Sequence, residues 1–212
     1  DGNIDENQRI LDMALGHFSG NITFVNSENM EESDLSGITH LVYYGETEED
    51  LPNDIPNLVS SFDGPTMAIG HNVKQLGDHF SFVETGESTE QTINEIAYMD
   101  DEEKTREIEP EYIIDAKLDD DAEVLAQGSG NQGEFPLIAH RDDKYYVATD
   151  TLLPPYSVYF SQALNTMFHT DPSNETPAYL RLEDVHPLVD PESLMAIAEE
   201  LKERDIPYMI AV

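Results

Sequence analysis

The stretch that decides the fold begins at Thr39-His40-Leu41-Val42-Tyr43-Tyr44 and ends at Thr66-Met67-Ala68-Ile69. Both runs are almost continuously apolar, the pattern of strands covered on both faces, as in parallel sheets. Between them, residues 53–62 carry Ile55, Leu58, Val59 and Phe62 at helical spacing. That stripe stops before Asp63-Gly64-Pro65, a turn sequence that no helix continues through. Strand, helix and strand in this order predict a βαβ unit and hence a parallel α/β sheet.

Outward toward the N-terminus, Leu11, Ala14, Leu15 and Phe18 predict a helix over residues 5–18, with acidic residues at its positive end. Asn21-Ile22-Thr23-Phe24-Val25 then reads as a further strand. Toward the C-terminus, Gly70-His71-Asn72 leads into a short helical piece near residues 73–76. The pattern changes near residue 92. Short strand-like runs at 93–99, 111–118, 122–126, 135–140 and 145–149 are punctuated by Asp119-Asp120-Asp121, by Gly128 to Gly133 and by Asp142-Asp143. Arg141-Asp142-Asp143-Lys144 fits a hairpin turn, so this section is expected to be an antiparallel β insertion. A helix over 154–168 follows, starting at proline.

The last part reads as a separate βαβ unit, with strands at 178–185 and 207–212 around a helix at 191–204. Asp190 takes the N-cap position and Pro191 the first turn, a strong start signal. Leu194, Ile197, Ala198 and Leu201 form the helix's apolar stripe. A parallel strand needs cover on both faces, so this unit is expected to be the truncated start of a larger domain. The expected organisation is 1–91 as an α/β domain, 92–176 as the β-rich insertion with its closing helix, and 177–212 as the truncated βαβ.

Charge narrows the function. The 212 residues include 45 acidic and 10 basic ones, a net charge of −35. Such a field repels phosphate backbones and anionic lipid, so nucleic acid and acidic membranes are not expected partners. Apolar residues still make up 39% of the chain, enough to fold a core. The acidic surface has two readings. One is adaptation to salt, which screens self-repulsion over a Debye length of about 3 Å at 1 M; the other is a cationic partner. There is no cysteine, which removes disulfides, thiolate nucleophiles and Cys-ligated zinc. No stretch reaches the ~20 apolar residues of a membrane helix, so no membrane insertion is expected within this chain. Residue 1 is Asp, so the chain is expected to be cut from a longer protein, compatibly with removal of a signal or anchor segment.

The sharpest chemical feature is Arg181-Leu182-Glu183-Asp184-Val185-His186-Pro187. Two adjacent carboxylates sit at the carboxyl end of an expected parallel strand, the edge where α/β sheets and barrels collect ligands and catalytic groups. A like-charge neighbour and desolvation raise one carboxyl pKa, which suits a general base, while the other carboxylate suits a divalent metal. The alternative is that both simply enter solvent or pair with Arg181.

This motif, with the helix from Glu192 to Arg204 and the strand Ile206-Pro207-Tyr208-Met209-Ile210-Ala211-Val212, resembles the opening of a NodB-type polysaccharide deacetylase domain over about residues 178–212. The likeness is to an uncharacterised bacterial branch of that superfamily. It implies a deacetylase-type barrel, with Glu183 as catalytic base, Asp184 as metal ligand, and a divalent metal such as zinc in the parent protein. It also implies a polysaccharide substrate and an extracellular or cell-surface location. The family completes its metal site with two histidines one helical turn apart. The histidines here are 17, 40, 71, 79, 140, 169 and 186, and none are four apart. Asp184 alone cannot fix a metal that wants three protein ligands, so this chain is expected to bind none and to be inactive by itself.

The front part resembles flavodoxin-like or class I amidotransferase-like domains. Gly70-His71-Asn72 lies where those amidotransferases place their cysteine nucleophile. With no cysteine that chemistry is excluded, and His71 reads as a turn or core-edge histidine. A flavin phosphate is disfavoured by the acidic run from Val25 to Glu32. Gly128 to Gly133 lacks the Lys-Ser/Thr of a phosphate loop and reads as a flexible turn. Asp119-Asp120-Asp121 lacks the ligand spacing of a calcium loop and reads as an acidic turn. His140 reads as a hairpin-end histidine, and Tyr43-Tyr44 and Tyr145-Tyr146 as packing. Two functions compete: a non-catalytic front region of an exported deacetylase-like protein, and a stand-alone flavodoxin-like binding module.

Overall fold

The computed structural model describes residues 5–18, 21–52, 54–99, 104–170, 180–183, 185 and 190–210, without the side chains of 87–90 and 104. The chain divides into two compact units, residues 1–170 and 171–212.

The first unit is built on a seven-stranded sheet. Its strands are β1 (Leu41–Gly45), β2 (Thr66–Gly70), β3 (Val83–Tyr98), β4 (Lys104–Leu118), β5 (Glu123–Gly130), β6 (Gly133–Arg141) and β7 (Lys144–Val147). The spatial order is β1-β2-β7-β6-β5-β3-β4. β1 pairs parallel with β2, from Leu41 opposite Thr66 to Gly45 opposite Gly70, and β2 pairs parallel with β7. Every other ladder is antiparallel.

Alternation along the central strands sends side chains to two cores. Met67 and Ile69 of β2, with Tyr145 and Val147 of β7, face helices α1 (Glu6–Gly16) and α3 (Tyr156–Met167). Those helices contribute Leu11 and Leu15, and Tyr159, Phe160, Leu164 and Met167. Ala68, Tyr146 and Ala148 face the other way, toward α2 (Ile55–Ser61) and the 3₁₀ turns after β2, through Ile55, Val59, Val73, Leu76 and Phe80. α1 starts at Asp5, whose carboxylate accepts the Gln8 amide at 2.6 Å and so satisfies a helix-end donor.

Two expectations change here. Asn21 to Val25 forms no strand: only Ile22 is half-buried against the core, and Phe24 and Val25 are exposed. β1 is an edge strand, but four of these five residues are exposed, so the segment buries too little apolar surface to be held there as a further strand. The expected boundary at 91/92 falls inside β3, and both sides of it share one sheet and one compact unit. The antiparallel section is indeed inserted between parallel strands, but it is hydrogen-bonded into their sheet. Residues 141–144 do form the expected turn, with Asp142 left-handed at φ 54°.

The second unit is a βαβ: β8 (Leu180–Leu182), α4 (Pro191–Glu203) and β9 (Tyr208–Ile210), the two strands paired parallel from Leu180 opposite Tyr208. The Asp190 carboxylate accepts both the Ser193 amide at 3.1 Å and its hydroxyl at 2.6 Å, which holds that carboxyl below its ordinary pKa. Leu180, Tyr208, Met209 and Ile210 are exposed, so both strands are largely uncovered.

Candidate functional site

Glu183 follows β8 immediately, at the carboxyl end of a parallel strand. Its Oε1 lies 3.0 Å from Nε of Arg181, two residues back and on the same strand face; both side chains are more than half exposed. An exposed pair of this kind contributes little to stability, because water screens it. Glu183 is therefore available to a ligand, at the cost of an Arg181 contact. Asp184, expected as metal ligand, lies outside the described residues. Among the described residues no group of three His, Asp or Glu side chains could hold a metal ion.

A second polar cluster occupies the carboxyl edge of β1, β2 and β7 in the first unit. β1 and β2 end side by side at Gly45 and Gly70, and the His71 amide donates to the Gly45 carbonyl at 2.9 Å. The mostly buried His71 ring lies between two carboxylates, with Nδ1 3.8 Å from Glu48 Oε1 and Nε2 3.7 Å from Asp150 Oδ2. Asn72 is left-handed, at φ 67°, and its amide donates to the carbonyls of Thr47 and Glu49 at 2.8 and 2.9 Å. The Tyr44 hydroxyl donates to the Asp150 carbonyl at 2.5 Å. Burial, and then the carboxylates of Glu46, Asp5 and Asp150, hold the Tyr44 phenol well above its ordinary pKa. His71 and Asn72 thus clasp the acidic loop after β1 to the loop after β7. The contribution of Asp150 was illegible in the sequence, because the parallel pairing of β7 with β2 is what brings it there.

The remaining candidates resolve into structure. Arg141 spans the acidic turn, 3.8 Å from Asp119 and 3.7 Å from Asp121, and lies over the Phe82 ring. The His140 Nδ1–H donates to the Asp142 carbonyl at 3.0 Å, and the ring stacks on Tyr145. Tyr145 and Tyr146 are core residues, and the Tyr146 hydroxyl donates to the Gly70 carbonyl at 3.2 Å. The glycine-rich stretch is less of a turn than its composition suggests: β5 runs through Gly130, leaving Asn131 and Gln132 as the turn.

Comparison with known proteins extends this picture. No family model matches this chain. The chain is 27% identical over its whole length to the uncharacterised protein YdaL of Bacillus subtilis, and spans 37% of that relative's length. Among solved structures, cytoplasmic protein STM1381 from Salmonella typhimurium superposes with a TM-score of 0.54 at 12% identity, over 77% of this chain and 88% of that one. A GMP synthase-type protein from Thermoplasma acidophilum superposes with a TM-score of 0.53 at 16% identity, over 79% of this chain and 90% of its own. At these identities the likeness is one of fold: the chain has an α/β, flavodoxin-like fold.

Proposed function

We propose that this chain is the non-catalytic N-terminal region of an exported, metal-dependent polysaccharide deacetylase-like protein acting on cell-surface or extracellular polysaccharide. The observation that carries the reading is the position of Glu183. It stands at the carboxyl end of β8 in a parallel βαβ, exposed and held only by Arg181. That is the place and the accessibility a general base requires. The chain's 37% coverage of its longer relative is consistent with a region that works alongside further domains. In the parent protein Glu183 takes the base role and Asp184 a metal-ligand role, with a divalent metal, zinc by preference, supplying Lewis acidity.

Acetate release from acetylated glucosamine oligomers tests this. The 212-residue chain is expected to release none with zinc, cobalt or manganese, while the longer polypeptide releases acetate only with metal and loses it in Asp184→Ala and Glu183→Gln. Metal-dependent release from the 212-residue chain itself, or a longer polypeptide indifferent to both substitutions, overturns the reading. The second reading is a stand-alone flavodoxin-like binding module. It is favoured by the solved structures, which superpose over nearly nine tenths of their own length on under four fifths of this chain.

A further inference from the structure

A cavity of about 300 Å³ opens on the first unit between the β3–β4 ladder and the β5–β6 turn, lined by Thr92, Ile93, Asn94, Pro110, Asn131 and Gln132. It owes its shape to an irregular ladder. Ile93 pairs with Glu111 and Glu95 with Glu107, so Asn94 alone faces three residues of β4 (Ile108, Glu109 and Pro110). Such bulges re-aim side chains and recur beside binding sites. The other wall is brought in by Gly130, where a Cβ would lie 2.1 Å from the Thr92 carbonyl oxygen. Only glycine allows that approach.

The lining is chemically specific. Ile93 turns its side chain into the core and contributes backbone to the lining, while Thr92, Asn94, Asn131 and Gln132 are exposed. Among the described residues none of these four side chains has a hydrogen-bond partner, whereas neighbouring Gln127 is paired with Glu134 at 2.8 Å. Tyr112 sits directly across the ladder from Thr92, on the same face, and is 62% exposed. No charged side chain lines the cavity, but Glu109 and Glu111 flank Pro110 in sequence, and both are exposed.

From this lining we infer that the cavity binds one ring of a neutral saccharide, with Tyr112 as the platform for a neighbouring ring. Amides and a hydroxyl both donate and accept, as sugar hydroxyls require. Pro110 and Tyr112 offer apolar surface to the C–H face of a pyranose. The volume lies at the small end of the ~300–1,000 Å³ range of ligand pockets, which suits a single ring. The flanking glutamates repel uronate or phosphorylated polymers, leaving neutral ones. The choice of N-acetylglucosamine oligomers as first probe rests on the function proposed above; the cavity's chemistry does not.

The test is a calorimetric and NMR titration of the 212-residue chain with chito-, cello- and xylo-oligosaccharides and an oligouronate. At least one neutral oligomer is expected to bind and shift the backbone amides of Thr92, Asn94, Tyr112, Asn131 and Gln132. Asn94→Ala and Tyr112→Ala should each weaken it about tenfold, the equivalent of one well-made contact. Both residues are exposed, and unchanged melting temperatures will show that the fold survives. No binding of any neutral oligomer at millimolar concentration, binding of the uronate alone, or affinity unchanged in the double variant overturns the inference. Acetate release by the longer polypeptide is a separate readout, so either idea can fail without the other.

Discussion

A Cβ built on Gly70 would fall 2.2 Å from the carbonyl oxygen of Gly45. The two glycines end neighbouring parallel strands, and their backbones close on each other just where His71 and Asn72 turn away. Gly70 also has φ +79°, a conformation that L side chains rarely adopt. Gly70→Ala is therefore expected to lower the unfolding free energy by about 2–4 kcal/mol, combining backbone strain with a clash. Urea denaturation measures it. A loss below about 0.5 kcal/mol, the level of an ordinary surface change, would mean that the edge relaxes.

The Tyr44 hydroxyl makes its bond to the Asp150 carbonyl from the same edge. Tyr44→Phe removes that donor with little change in shape and should cost about 1 kcal/mol. Hydrogen exchange at residues 149–152 should rise in parallel, since the bond ties this loop to β1. A variant as protected as the parent would show that His71 and Asn72 suffice to hold the clasp.

Histidine 40 gives the fold a pH dependence. Its ring stacks on Phe168 with centroids 4.2 Å apart, and its Nδ1 shares a 2.9 Å hydrogen bond with the Thr39 hydroxyl. Burial lowers its pKa below 6.5 and the nearby His169 lowers it further, against an opposing hydrogen bond with the backbone of Met167. A depressed folded pKa means that the unfolded chain takes up the proton first. The stability tied to His40 is thus fully present above about pH 6.5 and is lost as pH falls through the lowered folded value. The difference in melting temperature between the parent and His40→Phe should change in that window and be flat above it. A constant difference from pH 7.5 to 5 contradicts this.

Net charge gives a prediction of opposite character. With −35 charges to screen, the melting temperature should rise as the Debye length shrinks from ~10 Å at 0.1 M to ~3 Å at 1 M KCl. A flat or falling trend would mean that the carboxylates are individually compensated in the fold.

Most elements were legible because their signals are local. Asp190 and Pro191 marked the start of α4, and the alternation of Met67, Ala68 and Ile69 marked a strand buried on both faces. Pairing partners were not legible. Residues 21–25 have strand composition but pair with no strand, while Tyr145 to Val147 read as one more antiparallel strand and is in fact also the third parallel one. A strand's own side-chain period carries no information about what lies beside it. The same limit hid the cavity: Asn94 and Gln132 are unremarkable in sequence, and only the extra β4 residues opposite Asn94 and the close approach at Gly130 set them around one space.

The pairing of β2 with β7 also bears on how the chain folds. Thr66 meets Lys144, 144 − 66 = 78 residues along, while the β3–β4 and β5–β6 hairpins close over short local loops. Loop-closure entropy grows with length and has to be met before the distant contact stabilises anything, so the hairpins have the head start. On these separations β7 is expected to dock on β2 after the intervening hairpins have drawn it near, with α3 closing over both afterwards. The antiparallel section is thus a kinetic bridge: lengthening it delays the parallel core, and unfolding it releases β1 and β2 as an orphaned pair with an open hydrogen-bonding edge.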